Sequence, residues 1–153
     1  MAKKIAVSEL EKHVGYWLRF VSNHVSHAFT LKVEAQGVTV AEWVVMREML
    51  DVGPANPSRL ADRLGMTRGA ISKLVERLCR KQLAVRSTTA GDRRYQSVEL
   101  TTAGKKLVPK LARLADENDR QFFGHLDAKG RATLVDMLEE MVRRHGWKDV
   151  PVS

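Results

Sequence analysis

Residues 56–81 read NPSRLADRLGMTRGAISKLVERLCRK, and two helical patterns meet in them at a Gly-Met pair. Asn56 before Pro57 is a helix start, because an Asn side chain satisfies orphan N–H groups and proline suits the first helical position. The short pattern SRLADRL stops at Gly65, and Thr67 caps a second helix. On that helix Ala70, Ile71, Leu74, Val75 and Leu78 are predicted to form the apolar face, with Arg68, Ser72, Lys73 and Arg77 opposite. Helices joined this tightly make a helix-turn-helix, whose second helix enters the major groove of DNA.

Outward from this pair, residues 87–101 read STTAGDRRYQSVELT. Strand-like flanks at 83–88 and 95–100 bracket a turn in which Gly91 tolerates positive φ and Asp92 bonds its own backbone. Period-2 alternation predicts that Val85, Val98 and Leu100 share a half-buried face. A hairpin in this position is a wing, and folding gives no reason for adjacent arginines just past its tip. Narrow A·T-rich minor grooves concentrate negative potential, and arginine exploits it. Arg94 is therefore expected to insert, with Asp92 orienting its guanidinium and Arg93 contacting phosphate. On the recognition helix, Thr67 and Ser72 suit base edges or phosphates, and Arg68 suits bidentate contact with guanine. Gly69 removes bulk where backbone must come close, and Lys73 and Arg77 complete the basic face. The helix N-terminus itself favours a phosphate.

The charge distribution agrees. The 153-residue chain carries a formal net charge of +8. Residues 1–58 hold six Lys/Arg and six Asp/Glu, and residues 107–153 hold eight of each. Residues 59–106 hold twelve against four, so the whole excess lies in the module just described. Such concentration is the electrostatic footprint of a polyanion partner. The length fits a single domain, 1–153. The lone Cys79 excludes an intrachain disulfide, and neither a signal-like nor a membrane-spanning apolar run is evident. A cytoplasmic protein without membrane association is expected.

The flanks are helix-patterned. A capping box at Ser8 and Glu11 is predicted to open a helix whose stripe runs through Leu10, Val14, Trp17, Leu18, Val21, Val25, Ala28, Phe29 and Leu31, ending at Gly37. A second box, Thr39 to Glu42, opens a helix with Trp43, Met46 and Leu50 available for burial. Thr101 and Thr102 start a long helix to about Phe123, bent or shortened by Pro109. Asp127 caps a last helix bearing Leu134, Leu138, Met141 and Val142. The expected fold is mainly α with a small β-hairpin: a winged helix-turn-helix at 39–100, plus long dimerisation helices at 8–34 and 102–146. Such stripes are best covered by a second copy, and a two-fold dimer reads an inverted repeat in double-stranded DNA.

The stretch from Asn56 to Leu78, followed by the wing's Asp92-Arg93-Arg94 and by L-T-x-x-G at Leu100 to Gly104, resembles the multiple antibiotic resistance regulator (MarR) family. The likeness covers roughly residues 8–146. It departs at Gln82, where the family usually has glycine before the leucine, which is expected to tighten or shift that helix end. The resemblance implies a homodimeric transcriptional regulator, a repressor that releases an operator when a small aromatic or acidic effector binds. Trp17, Phe20, His24 and His27 are candidates to line the effector cleft, alongside the plain reading that they are ordinary core and surface residues.

Other chemistry finds little footing. His24 and His27 lie i, i+3, but a metal site needs three or four ligands, so no metal is expected. Cys79 reads as a structural thiol beside the apolar face. No phosphate-cradling glycine loop, H-E-x-x-H, G-x-S-x-G or C-x-x-C is present, so neither enzyme activity nor a cofactor is expected. The alternatives to an operator-specific regulator are an architectural DNA binder and a winged protein-interaction module without an effector.

Overall fold

The computed structural model describes residues 5–88 and 96–148. A 3₁₀ turn (Leu10–Lys12) leads into α1 (Val14–Glu34), followed by α2 (Val40–Val52), α3 (Pro57–Leu64) and α4 (Arg68–Arg80). The hairpin strands β1 (Ala84–Thr88) and β2 (Gln96–Leu100) come next, then α5 (Thr102–Phe123) and α6 (Ala128–His145). This is a mainly helical winged helix-turn-helix.

Most helix starts follow from side chains that accept the first orphan N–H groups. Thr39 Oγ1 accepts from Glu42 N at 3.1 Å, and Glu42 Oε2 accepts from Thr39 N at 3.2 Å, closing the expected box. Asn56, Thr67, Thr101 and Asp127 cap α3, α4, α5 and α6 in the same manner. The box expected at Ser8 and Glu11 does not form. The chain there takes a 3₁₀ turn, and α1 starts at Val14 behind His13, which makes no side-chain cap. Trp17 Nε1 donates to Glu11 O at 2.9 Å, holding that turn against α1. Pro109 does not stop α5. It sits at an exposed position, as does Lys105, whose carbonyl is the partner a proline at 109 cannot supply with an N–H.

The buried apolar residues run from Val33 to Leu111 and centre on Met46, Met49, Leu60, Ile71, Leu78 and Val98. Among the described residues, α1 buries only Val33 and α6 buries none. Leu50, expected inside, is 41% exposed, and Val45 and Met49 take the α2 core positions with Trp43 and Met46. Ala70 is exposed as well, because the apolar stripe of α4 begins one residue later, at Ile71.

The strands pair antiparallel with Ala84 opposite Leu100 and Arg86 opposite Val98. Directly paired residues share a face, so Ala84 is buried with Val98 and Leu100, while Val85 points the other way and is 46% exposed. The expected grouping of Val85 with that pair was out of phase by one residue. Ala55 adds an isolated bridge to Val98, with N–H···O distances of 3.0 and 2.9 Å in the two directions. The segment before α3 therefore forms a minimal third strand.

Candidate nucleic-acid interface

The candidate surface is assembled at the α3–α4 turn. Gly65 ends α3 in the left-handed conformation (φ 62°), where glycine escapes the Cβ penalty. Met66 N donates to Ala61 O at 3.0 Å, and Thr67 starts α4 with Oγ1 accepting from Ala70 N at 3.1 Å. Ile71, Leu74, Val75 and Leu78 bury the inner side of α4. That burial fixes the outer side, on which Thr67, Arg68, Gly69, Ser72, Lys73 and Arg77 are all exposed.

Two features separate this set from an ordinary solvated face. Arg68, Lys73 and Arg77 have no carboxylate within ion-pair distance among the described residues, whereas nearby Arg47, Arg63, Arg80 and Lys81 pair with Asp51, Glu48, Glu76 and Glu42. A Cβ added to Gly69 would meet nothing within 4 Å, so packing does not require glycine there. Thr67 spends one lone pair on its cap and keeps its hydroxyl proton to donate.

The wing stem is held at its base. Thr101 N donates to Leu83 O at 3.0 Å, and Thr101 Oγ1 donates to Gln82 O at 2.7 Å. Gln82 adopts φ 60° and completes a Schellman ending for α4: its N–H donates to Cys79 O, and Leu83 N donates to Leu78 O. The departure at this position thus leaves the helix end in its usual form, with a side chain carried on glycine-type backbone. Asp92, Arg93 and Arg94, the residues expected at the wing tip, lie outside the described residues. Arg59 on α3 and Arg86 on β1 are further exposed cations that motif reading did not single out. Their only sequence signal was membership of the basic segment.

The effector candidates fall in two places. Trp17 lines an apolar cavity of about 840 Å³ between α1, the end of α5 and α6, together with Leu18, Val21, Phe122 and Leu138. Phe20, His24 and His27 are not among its walls. Phe20 instead packs on His24 (ring centroids 4.9 Å apart) and lies 6.1 and 6.4 Å from Tyr16 and Trp17. Cys79 is half-buried. No helix among the described residues is long and apolar enough to cross a membrane.

Comparison with known proteins places this geometry. The profile of the MarR family matches residues 36–94. The transcriptional repressor NicR of Pseudomonas putida is 26% identical over 134 residues, 88% of this chain and 85% of that protein. A protein assigned as the transcriptional regulator of the hcr operon of Thauera aromatica is 30% identical over 116 residues, 72% of this chain and 70% of that one. Bordetella bronchiseptica BpsR, whose DNA binding is regulated by 6-hydroxynicotinic acid, shares the fold with a TM-score of 0.73 at 24% identity, covering 89% of this chain and 97% of its own. A helix whose outer cations have no carboxylate partner among the described residues, a hairpin stem braced by L-T-x-x-G and relatives that are themselves regulators lead to one conclusion: the chain belongs to the MarR family of DNA-binding transcriptional regulators.

Proposed function

We propose that the protein works as a homodimeric repressor on an inverted-repeat operator and is released by a small aromatic or acidic effector. The observation that carries this reading is the outer face of α4, where Arg68, Lys73 and Arg77 stand free of carboxylates among the described residues. Thr67, Arg68, Gly69, Ser72 and Lys73 read base edges and adjacent phosphates, and Arg77 follows the backbone. Arg94 enters the minor groove, Asp92 orients its guanidinium and Arg93 contacts phosphate, as their positions in the motif imply. Residues 39–100 are the DNA-binding module of a single domain, and 8–34 and 102–146 are its dimerisation region.

Exposed apolar surface supports the dimer. Val14, Trp17 and Val21 on α1, and Met137, Leu138 and Val142 on α6, are each at least 40% exposed. Apolar stripes of this extent on two neighbouring arms mark a surface that a second copy covers. Two recognition helices then meet half-sites about one helical turn apart. The likeness in fold to BpsR, together with the aromatic group around Phe20, supports the effector half of the reading.

The test is a titration at fixed salt of a palindromic fragment from upstream of the protein's own gene against random duplex, with the mass followed by light scattering. The expected result is a dimer preferring the palindrome by about 10³-fold or more. A ratio near one marks an architectural binder instead.

A further inference from the structure

We propose that Lys81 and Glu42 form a clamp that sets the tilt of α4 against the α1–α2 junction, and with it the half-site spacing the protein accepts. This rests on the dimeric operator reading above.

Glu42 is only 1% exposed, yet it is ionisable. Its Oε2 accepts from Thr39 N at 3.2 Å and from Lys81 Nζ at 2.7 Å. A capping box is satisfied equally by glutamine, so starting α2 does not require an acid. A buried carboxylate is tolerated when paired and hydrogen-bonded, and Lys81 is what supplies the charge. Lys81 is also the C-cap residue of α4, and its Nζ donates to Gly37 O at 2.9 Å in the turn between α1 and α2. One ammonium group therefore ties the rear of α4 both to the first turn of α2 and to the turn that precedes it.

The leverage follows from length. Thr67 and Arg68, the first of the proposed base readers, sit at the opposite end of α4, about 20 Å away at 1.5 Å per residue. Pivoting about Lys81 moves that end by about 0.35 Å per degree, so about 10° equals one base-pair step of 3.4 Å. Apolar contacts along Ile71, Leu74, Val75 and Leu78 hold α4 on the core but are non-directional. The ion pair supplies direction. In two copies joined through their arms, that angle sets the separation of the reading ends. Lys81 and Glu42 are positioning residues, remote from DNA.

The experiment measures affinity for duplexes with native half-site spacing, with one base pair inserted or removed, and for a single half-site, alongside the thermal midpoint. Glu42→Gln retains the cap and removes the charge. Lys81→Met alone would strand a buried carboxylate, so it is made together with Glu42→Gln. Both the single and the paired variant are expected to weaken native-operator binding about 2- to 30-fold and to flatten the spacing preference by a similar factor, with the single half-site unchanged. Lys81→Arg, which keeps a cation within reach of Glu42, is expected to keep the wild-type preference. A preference unchanged in the variants overturns the clamp alone, as does a loss equal at every spacing and on the half-site that tracks a lowered thermal midpoint. A wild type indifferent to spacing overturns the operator reading, and the clamp with it.

Discussion

Gly104 lies directly against the carbonyl oxygen of Leu83, so close that a methyl group on Gly104 would overlap it. The first turn of α5 thus packs onto the link between α4 and β1, and Thr101, three residues earlier, hydrogen-bonds the same carbonyl. This contact is the physical content of the L-T-x-x-G segment: a cap, then a glycine that admits a neighbouring backbone.

Two glycines should accordingly behave in opposite ways. Gly104→Ala forces the backbone apart and is expected to destabilise by about 1–3 kcal/mol. Gly69→Ala, in open space on α4, is expected to leave stability unchanged or raise it by up to about 1 kcal/mol. It should nevertheless weaken operator binding, because on the proposed reading DNA approaches the backbone there. Thermal melts and binding isotherms on both variants check the contrast.

Gln82 holds φ 60° with a full side chain. A left-handed residue other than glycine carries roughly 1–2 kcal/mol of strain, partly offset by the greater unfolded freedom of glycine. Gln82→Gly is expected to stabilise by about 0.5–1 kcal/mol. The denaturant midpoint should rise with an unchanged slope, while operator affinity stays constant.

The exposed cations should separate by role. Arg68→Ala and Arg94→Ala are each expected to lose about 1–3 kcal/mol of operator binding and to relax sequence preference, at the half-site and in the adjoining A·T tract respectively. Lys73→Ala and Arg77→Ala should weaken all sequences alike and lower the slope of log affinity against log salt by about one each. Equal effects on operator and random duplex from Arg68→Ala would remove it from base reading.

Charge in the arms should divide the dimer. Leu138→Glu places a carboxylate on the apolar side of α6 and into the cavity that Trp17 lines. The expected result is a monomeric mass by light scattering at micromolar concentration, weak operator binding, and a folded core, because no buried core residue lies on α6.

Features carried by local chemistry were legible in the sequence. Thr39, Asn56, Thr67, Thr101 and Asp127 cap as expected because each bond reaches only two or three residues along the chain. Features set across the fold were not. Alternation gives the period of β1 but not its phase, and the larger Val85 outweighed Ala84. The phase comes from Leu83 being held by Thr101 and from Val98 being held by Ala55. Ser8 failed as a cap because α1 begins beyond it, with the preceding turn held by the indole of Trp17. The outer face of α4 was readable as a set of residue types; its freedom from carboxylates among the described residues was not, because ion pairs such as Glu48 with Arg63 and Glu42 with Lys81 span 15 and 39 residues.

The described anchors of the hairpin lie on its stem and base: the Ala55 bridge at Val98, the ties from Thr101 to Gln82 and Leu83, and the burial of Ala84, Val98 and Leu100. The proposed base readers Arg68 and Ser72 stand apart from these anchors, on the outer face of α4. On the proposed reading, duplicated genes of this design are free to diverge in target by exchanging those outward side chains while inheriting one unaltered scaffold.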